Sequence, residues 1–325
     1  MSKKIKFGIL GCGRIVHRGL IPGITESPEA ELYAIASQRP GVAADVSQEH
    51  GISKAYDSYE AVLADPDVDA VYIPVTGEFH KQWTLAAAQA GKHILCEKPL
   101  GMTVAEAEEM VRACQDAGVV LQEAFMWRHH PRSKRAKELI EAGKIGDLRL
   151  ICASFSFDID HSDWRLDPNR GGGAIWDIGC YGVNASRFFA GAEPIDIHCR
   201  SQFHESGIDM TTQIALRFPG DVLANIDCSF EAPFRCHAEI IGTKGSITLP
   251  NAFLPAIEAK LLLRTDMEPE AVPEVITFGE CNQYAEQVTD FCASIRAGAL
   301  QAPAENGVAN MKVLEQAITM AAQQS

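Results

Sequence analysis

The sequence predicts an α/β protein of two domains: a doubly wound parallel sheet, then an α+β domain with a large, mostly antiparallel open sheet. The chain has 325 residues, which is more than one compact core usually holds. Its first third alternates short apolar runs with helix-like stretches, whereas its later segments alternate apolar and polar residues. We therefore predict domains at 1–123 and 124–325, and the last helix can pack back on the first domain.

Short apolar runs mark the strands of the first domain. Such near-continuous runs are typical of parallel strands that are covered on both faces. Between them, Thr103 and Glu106 have the spacing of a capping box, which predicts the start of a helix, and Gly118 can end that helix. The predicted strands are Ile5–Leu10, Leu32–Ala36, Ala70–Ile73, His93–Cys96 and Val119–Leu121.

After residue 123, side chains of like polarity recur at every second position. In one such segment the more apolar positions share one face, and the more polar positions between them share the other. The apolar positions are Val222, Ala224, Ile226, Cys228 and Phe230. Segments at 212–218 and 236–240 repeat the pattern, which predicts antiparallel strands with one face on helices. The other face is expected to be solvated or to pair with a second subunit, and the stretch 304–322 is predicted to be helical.

Composition favours a small-molecule partner in a reducing compartment. The 29 Lys and Arg stand against 43 Asp and Glu, a net charge of −14, which disfavours nucleic acid and anionic membranes. The 10 cysteines form no Cys-x-x-Cys pair, and most have apolar neighbours, so we expect reduced thiols and a cytoplasmic protein. The N-terminal apolar stretch is too short for a signal peptide, and no apolar run approaches the ~20 residues of a membrane span.

The first predicted strand runs into Gly11-Cys12-Gly13-Arg14-Ile15. The first glycine permits a tight turn, the second lets the backbone approach a pyrophosphate, and the next helix offers its N–H groups to that anion. Val16 stands where the third glycine of the dinucleotide-binding pattern would be. A purely structural strand–helix turn would look the same, but the position at the first strand of a βαβ series favours a cofactor.

The end of the second strand bears on which nicotinamide cofactor is bound. NAD sites usually carry an acidic residue here, whereas this chain has Ser37-Gln38-Arg39. No carboxylate would repel a 2′-phosphate, Ser37 could donate a hydrogen bond and Arg39 could supply charge. We therefore predict NADP, with NAD as the alternative; the competing interpretation is that Arg39 is a solvated loop residue.

Two further segments carry candidate catalytic groups. Glu97-Lys98-Pro99 follows a strand at the edge of the sheet where doubly wound folds bind ligands. Asp177 and Tyr181 are four residues apart, so on a helix they share one face, and the glycines at 171–173 let another surface approach closely. Each of these residues also has a purely structural interpretation. Lys98 could lie in a solvated loop, Tyr181 could be a core residue, and Asp177 could cap a helix.

No metal site is predicted. His129 and His130 are adjacent and point to different faces, with no carboxylate at ligand spacing, and His161 beside Asp163 is similarly weak. Trp127 and Trp176 fit a core or pocket wall.

Taken together, these segments resemble the glucose–fructose oxidoreductase / inositol dehydrogenase (Gfo/Idh/MocA) family. The motifs that match the family are the sequence at 11–15, the stretch 80–99 and GGGAIWDIGCY at 171–181. Two further motifs, at 123–131 and 163–168, are similar to the branch of the family that contains dimeric dihydrodiol dehydrogenase and NADP-dependent D-xylose dehydrogenase. The resemblance covers essentially the whole chain. It implies a Rossmann first domain, a substrate-binding and oligomerisation second domain, and a dimer.

The resemblance also implies roles for individual residues. Lys98 and Tyr181 would act at the reacting carbon, Asp177 would position the substrate, and Trp164 and Arg165 would pack near the nicotinamide. The cofactor set, from the motifs and the resemblance together, is Gly11, Cys12, Gly13, Arg14, Ile15, Ser37, Gln38, Arg39, Pro74, His80, Glu97, Lys98, Trp164 and Arg165.

Three functions fit this reading. The favoured one is an NAD(P)-dependent oxidoreductase that moves a hydride between nicotinamide and a hydroxyl or carbonyl carbon of a sugar, polyol or diol. A redox-neutral enzyme with a retained nicotinamide, either an aldose–aldose oxidoreductase or an NAD-using glycosidase, is the second. A non-catalytic NADPH-binding sensor is the third, and it is disfavoured because all three candidate catalytic residues are present.

Overall fold

The chain divides into two units in the computed structural model, which describes residues 3–266, 268, 270–298 and 303–323. The first unit runs to His129 and includes Asn282–Met311; the second comprises His130–Cys281 and the chain from Lys312 onward. The strands are β1 (Ile5–Leu10), β2 (Ala30–Ala36), β3 (Lys54–Tyr56), β4 (Ala70–Ile73), β5 (His93–Cys96), β6 (Leu121–Glu123), β7 (Leu148–Ser156), β8 (Asp196–Phe203), β9 (Asp209–Phe218), β10 (Val222–Ser229), β11 (Arg235–Gly242), β12 (Ser246–Pro250), β13 (Ala259–Arg264) and β14 (Glu274–Phe278).

The α-helices alternate with the strands in the first unit and are fewer in the second. They are α1 (Ile21–Glu26), α2 (Val42–His50), α3 (Tyr59–Ala64), α4 (His80–Gln89), α5 (Val104–Ala117), α6 (Pro131–Glu141), α7 (Cys180–Ala190), α8 (Gln283–Ala297) and α9 (Ala304–Ala322). The predicted terminal helix at 304–322 is confirmed.

The sheet of the first unit has the order β3-β2-β1-β4-β5-β6, and all of its strands are parallel. This is the doubly wound order, whose direction of winding reverses between β1 and β4. Strands β1, β4 and β5 have the predicted bounds, whereas the last strand is Leu121–Glu123 instead of Val119–Leu121. The shift arises because the N–H of Val119 is still bonded to the end of α5, at the carbonyl of Cys114.

Helix α5 shows how local sequence sets an element boundary. The Oγ1 of Thr103 accepts a hydrogen bond from the N–H of Glu106, and Gly118 at φ +67° ends the helix, as predicted. The carboxylate of Glu106 accepts a hydrogen bond from the N–H of Met102 instead of that of Thr103. The reciprocal bond of the capping box is therefore made by the residue before the N-cap.

The core of the first unit combines residues from both of its chain segments. Phe7 on β1 and Phe291 on α8 are fully buried, with ring centroids 6.0 Å apart. Gly23 on α1 lies against Tyr284 of α8, where a Cβ would be 2.7 Å from the tyrosine side chain. The returning helix therefore covers one face of the parallel sheet.

The second unit is built on an eight-stranded sheet of order β14-β13-β12-β11-β7-β10-β9-β8. All neighbouring strands are antiparallel except β7 and β10, so the prediction of a mostly antiparallel sheet is confirmed. The inward positions of β10 are buried as the alternation predicted. Helix α7 covers that face closely, since a Cβ on Gly182 would lie 2.5 Å from Ile226.

Among the described residues, no helix is long and apolar enough to cross a bilayer.

Candidate functional site

The turn after β1 is shaped by two glycines. Gly11 has φ +137°, its N–H donates to the carbonyl of Ala36 at 2.9 Å, and a Cβ there would face Pro74 at 3.5 Å. Gly13 faces open space, because no atom lies within 4 Å of where its Cβ would be. Val16, in place of a third glycine, is fully buried in the core and begins a π-helical turn that leads into α1. The residues present therefore leave room for an anion beside the turn.

The loop after β2 places Ser37, Gln38 and Arg39, the residues predicted to distinguish NADP from NAD, next to this turn. Ser37 is buried, its N–H donates to the carbonyl of Tyr56, and its Oγ accepts from the N–H of Arg39 at 3.1 Å. Gln38 and Arg39 are exposed. Burial raises the pKa of the Cys12 thiol, and the Arg39 guanidinium acts in the opposite direction, so that cation lies within electrostatic reach of the glycine turn.

The segment after β5 is fixed through the side chain of Glu97. The hydroxyl of Tyr72 donates to Glu97 Oε1 at 2.5 Å, and the N–H of Lys98 lies 3.3 Å from Glu97 Oε2. The Lys98–Pro99 peptide is cis, and the next N–H, of Leu100, donates to Glu123 Oε1 at 2.9 Å. Glu97 and Lys98 are partly exposed at the carboxyl end of the strand.

Two buried groups support this segment. Burial and the Glu97 carboxylate hold the pKa of Tyr72 well above its usual value, so Tyr72 remains a hydrogen-bond donor. The ring of His80 is 1% exposed, with Nδ1 2.9 Å from the Pro99 carbonyl and Nε2 2.9 Å from that of Val75. Burial lowers the pKa of His80. His80 thus links the loops after β4 and β5, and its predicted contact with a cofactor stays a prediction.

In the second unit, an arginine lies between two carboxylates. Arg165 donates from Nε to Asp177 Oδ2 at 2.8 Å and from its guanidinium to Asp163 Oδ1 at 3.1 Å. Burial acts to lower the pKa of Arg165, but Asp177 and Asp163 outweigh burial and raise it. Its Cζ lies 4.8 Å from the centre of the Trp164 ring, so three of the predicted site residues are in contact.

Asp177 and Tyr181 lie on consecutive elements, not on one regular helix. Asp177 belongs to a π-helical turn at Ile175–Gly179, and Tyr181 to the first turn of α7. The extra residue in the π turn changes the simple four-residue relation that a regular helix would give. Tyr181 is 7% exposed, and its ring lies against those of Phe155 and Phe253, with centroids 5.5 and 5.2 Å away.

The glycine run allows the close approach that the sequence predicted, and the approaching surface is the chain itself. A Cβ on Gly172 would lie 2.4 Å from the carbonyl oxygen of Arg165. A Cβ on Gly173, at φ +115°, would lie 2.3 Å from Asp209 Oδ1. The segment with Asp177 is therefore packed directly on its neighbours.

Sequence reasoning missed three residues that shape these sites. Tyr72 is the only hydroxyl in an otherwise apolar four-residue strand, which was an available signal. Glu123 and Asp209 are buried carboxylates at the end and start of strands, and only the fold shows what they bind.

One group among the described residues has donor atoms close enough to share a metal ion: His17, Glu49 and His50, whose candidate ligand atoms lie within 4.8 Å of one another. His129, which the sequence analysis did not assign to a metal, is buried and pairs through Nδ1 with Asp290 Oδ2 at 2.7 Å.

The fold and the glycine turn define a class of protein: a dinucleotide-binding unit of the Rossmann type joined to a unit built on an open sheet. The chain belongs to the GFO/IDH/MocA oxidoreductase family. Residues 5–125 match the family's NAD-binding Rossmann fold, and residues 133–248 match its C-terminal domain. The resemblance proposed from the sequence motifs is confirmed, and the chain is an NAD(P)-binding oxidoreductase.

Three relatives illustrate the range of the family. The chain is 37% identical to D-xylose 1-dehydrogenase (NADP(+)) 2 of Haloferax volcanii, over 90% of this chain and 89% of that protein. It is 32% identical to trans-1,2-dihydrobenzene-1,2-diol dehydrogenase of Mus musculus, over 92% and 90%. Among solved structures it is similar to a 3-ketoreductase from Actinomadura kijaniata in complex with NADP and TDP-benzene, with 26% identity, 98% of each chain covered and a TM-score of 0.88.

Proposed function

We propose that this protein is an NADP-dependent dehydrogenase or reductase that acts on a CH–OH group of a sugar, polyol or diol. The observation that carries the proposal lies within the first unit: Glu97 and Lys98 follow β5 at the carboxyl edge of the sheet, the edge on which the Gly11 turn also lies. A lysine and a pyrophosphate-shaped turn on one sheet edge suit a hydride-transfer enzyme. The names of the xylose and diol dehydrogenases among its relatives support the substrate class.

The preference for NADP rests on Ser37 and Arg39. Ser37 holds the backbone of Arg39 through its Oγ, and the guanidinium of Arg39 is exposed beside the glycine turn. No carboxylate is present at positions 36–39 to repel a 2′-phosphate. The relatives named for NADP, or bound to it, support the same choice.

Oxidation of an alcohol requires a hydride acceptor, which a bound nicotinamide supplies, and a base for the hydroxyl proton. We assign the proton to Tyr181, whose first-turn position on α7 buries its ring against two phenylalanines. We assign Lys98 to the reacting carbon as well, as the family resemblance implies, and Asp177, oriented by Arg165, would accept a hydrogen bond from a substrate hydroxyl.

We further propose a homodimer formed through the open face of the eight-stranded sheet. On β10 the outward positions carry Leu223, 50% exposed, and Asn225, also exposed, between polar neighbours. An isologous dimer would cover this face. Static light scattering at micromolar concentration tests the assignment, and a monomeric mass would refute it.

The cysteines support placement in the cytoplasm. All 10 are free thiols, seven of them buried. Reduced thiols persist in reducing compartments.

The activity itself is tested with purified protein and a panel of aldoses, inositols, sugar acids and trans-diols. Nicotinamide reduction is followed at about 340 nm with NAD and NADP in parallel. We expect turnover with a pentose, hexose or diol and a higher kcat/KM with NADP. Tightly retained nicotinamide and no net absorbance change during turnover would favour the redox-neutral alternative.

A further inference from the structure

A buried carboxylate lies at the start of the segment that carries Asp177 and Tyr181. Asp209, the first residue of β9, is 6% exposed. Its Oδ2 accepts hydrogen bonds from the N–H of Ile175 at 2.7 Å and from the hydroxyl of Thr212 at 3.0 Å. Ile175 is the first residue of the π-helical turn, so Asp209 binds the backbone two residues before Asp177.

The glycine run is shaped around this carboxylate. Gly173 has φ +115°, and its missing side chain leaves the space that Asp209 Oδ1 fills, 2.3 Å from an ideal Cβ. The N–H of Gly173 donates to the carbonyl of Arg165 at 2.9 Å, and Arg165 in turn binds Asp177. Asp209 therefore acts on a closed loop that begins and ends at the Arg165–Asp177 pair.

Asp209 is itself held from the neighbouring strand. The hydroxyl of Thr212 that binds Asp209 also lies 2.6 Å from the Oγ of Ser201 on β8. Hydroxyl groups on β8 and β9 thus fix the Asp209 carboxylate, which faces the peptide groups of the π-helical turn. Buried polar networks of this kind hold one geometry when all of their members are satisfied.

We propose that Asp209 is a positioning residue for the active-site segment 173–181, and that it fixes this segment as an ionised carboxylate. The inference rests on the proposed function, in which Asp177 and Tyr181 contact the substrate. A negative charge at the start of a helical segment accepts its N–H groups and interacts favourably with its dipole. Protonation of Asp209 weakens both interactions, so the segment is held less firmly in acid.

The surroundings of Asp209 make this protonation accessible near neutral pH. Burial raises the pKa of Asp209 to about 6, although the hydrogen bonds from Ile175 and Thr212 act to lower it. Two titratable groups that interact with it are the thiols of Cys199 on β8 and Cys228 on β10. Burial raises the pKa of both thiols, that of Cys199 to about 11, so both are neutral at pH 6.

Kinetics of two variants and a matched control test the inference. In Asp209→Asn we expect kcat to fall on the order of 10- to 100-fold, because a small displacement of catalytic groups has effects of this size. The KM for NADP should stay unchanged, and the acid limb of the kcat profile near pH 6 should disappear. Thr212→Val, a milder change, should shift that acid limb without abolishing activity.

The control is Asp65→Asn in the first unit. Asp65 is another buried carboxylate, and it accepts a hydrogen bond from the Tyr56 hydroxyl at 2.7 Å. This variant should keep the wild-type kcat and pH profile.

A readout independent of activity separates this inference from the proposed function. Trp176 adjoins Asp177, so its ¹⁵N-indole resonance should titrate near pH 6 in the wild type and in Asp65→Asn, but not in Asp209→Asn. If the wild type turns over no substrate, the proposed function fails and this titration alone decides the role of Asp209. An identical titration in the wild type and in Asp209→Asn overturns the inference. So does a wild-type kcat and pH profile in Asp209→Asn. If Asp209→Asn does not fold, the same kinetic result in Thr212→Val overturns it.

Discussion

The Nε of Arg165 lies 2.8 Å from Oδ2 of Asp177, and the same guanidinium binds Asp163. This pairing gives Asp177 a defined orientation before any substrate arrives, because a guanidinium binds carboxylates in a fixed fork geometry. The same contact closes the loop between residues 165 and 177. The carboxylate proposed to position the substrate and the arginine expected beside the cofactor are therefore directly paired.

Arg39→Ala should weaken NADP binding much more than NAD binding. Only NADP carries the 2′-phosphate, and loss of one charge-assisted contact of this kind typically costs about 1.5–3 kcal/mol, or roughly 10- to 150-fold in Kd. Isothermal titration calorimetry with both cofactors measures the difference. Arg200→Ala, an arginine on β8 in the second unit, serves as the charge-matched control. Equal losses for both cofactors would show that Arg39 does not recognise the phosphate.

Tyr181→Phe should lower kcat by about 10²- to 10⁴-fold and leave NADP affinity nearly intact, because it removes a proton-transfer group and keeps the ring packing. Steady-state kinetics across pH, with cofactor binding by fluorescence, make the comparison. Phe155→Leu, which alters the packing around Tyr181 without touching its hydroxyl, is the control for structural disturbance. If Tyr181→Phe keeps its kcat and pH profile while Lys98→Met is inactive, the acid–base role belongs to Lys98.

Tyr72→Phe should destabilise the first unit by about 1.5–3 kcal/mol, because it removes a hydrogen bond from a buried hydroxyl to the charged, partly exposed carboxylate of Glu97. The matched control is Tyr33→Phe, which removes a bond of 3.1 Å to the exposed carboxylate of Asp67 and should cost less, because solvent screens that carboxylate. Chemical denaturation of both variants supplies the values. A cost for Tyr72→Phe no larger than that of the control would mean that the Tyr72–Glu97 bond contributes little.

Gly173→Ala should be strongly destabilising, by more than about 3 kcal/mol, since the new Cβ would meet the Asp209 carboxylate in addition to the strain of a positive φ. Gly207→Ala isolates the strain alone: its φ is +88°, and open space surrounds the added Cβ. We expect about 1–2 kcal/mol there. Thermal unfolding that ranks the two variants equally would contradict a close approach at Gly173.

The stability of the protein should depend on Asp209 between about pH 4 and pH 6. The pKa of Asp209 is about 6 in the folded state and near ~3.9 in the unfolded chain, so in this window the folded state binds the extra proton. The wild type should therefore lose overall stability relative to Asp209→Asn as the pH rises through the window, because the cost of burying the charge outweighs the hydrogen bonds that the charge makes to segment 173–181. Above about pH 7 the difference should be constant. Denaturation curves at several pH values show whether the difference between the two proteins follows this course.

The parts of the fold that could be predicted are those set by neighbouring residues. Strand β1 has the predicted bounds because its apolar run ends at the glycine that must turn, and α5 begins at Thr103 because that hydroxyl caps a nearby N–H. The parts that could not be predicted depend on residues far apart in the chain. Strand β7 pairs in parallel with β10, and the two partners are separated by more than 70 residues.

The candidate site also has parts that local sequence predicts and parts that depend on residues far apart in the chain. The glycine turn and the Glu97-Lys98-Pro99 segment are contiguous motifs, so sequence alone revealed them. The bond between Tyr72 and Glu97 joins residues 25 positions apart, and that between Ile175 and Asp209 joins residues 34 apart. Nothing local in either residue's sequence context specifies such a partner, and the π-helical turn at Asp177 likewise follows from packing on neighbouring elements.

The inclusion of Asn282–Met311 in the first unit has a consequence for how the protein is made. A ribosome that has released residues 1–129 has already supplied every strand of the parallel sheet, yet the helix carrying Val288, Phe291 and Cys292 has not been synthesised. Phe7 and its neighbours must wait for that helix through the translation of about 150 further residues, during which the second unit emerges. At ordinary elongation rates of about 5–20 residues per second this delay lasts roughly 8–30 s. The nascent chain thus carries an uncovered apolar sheet face until residues 282–297 have been synthesised.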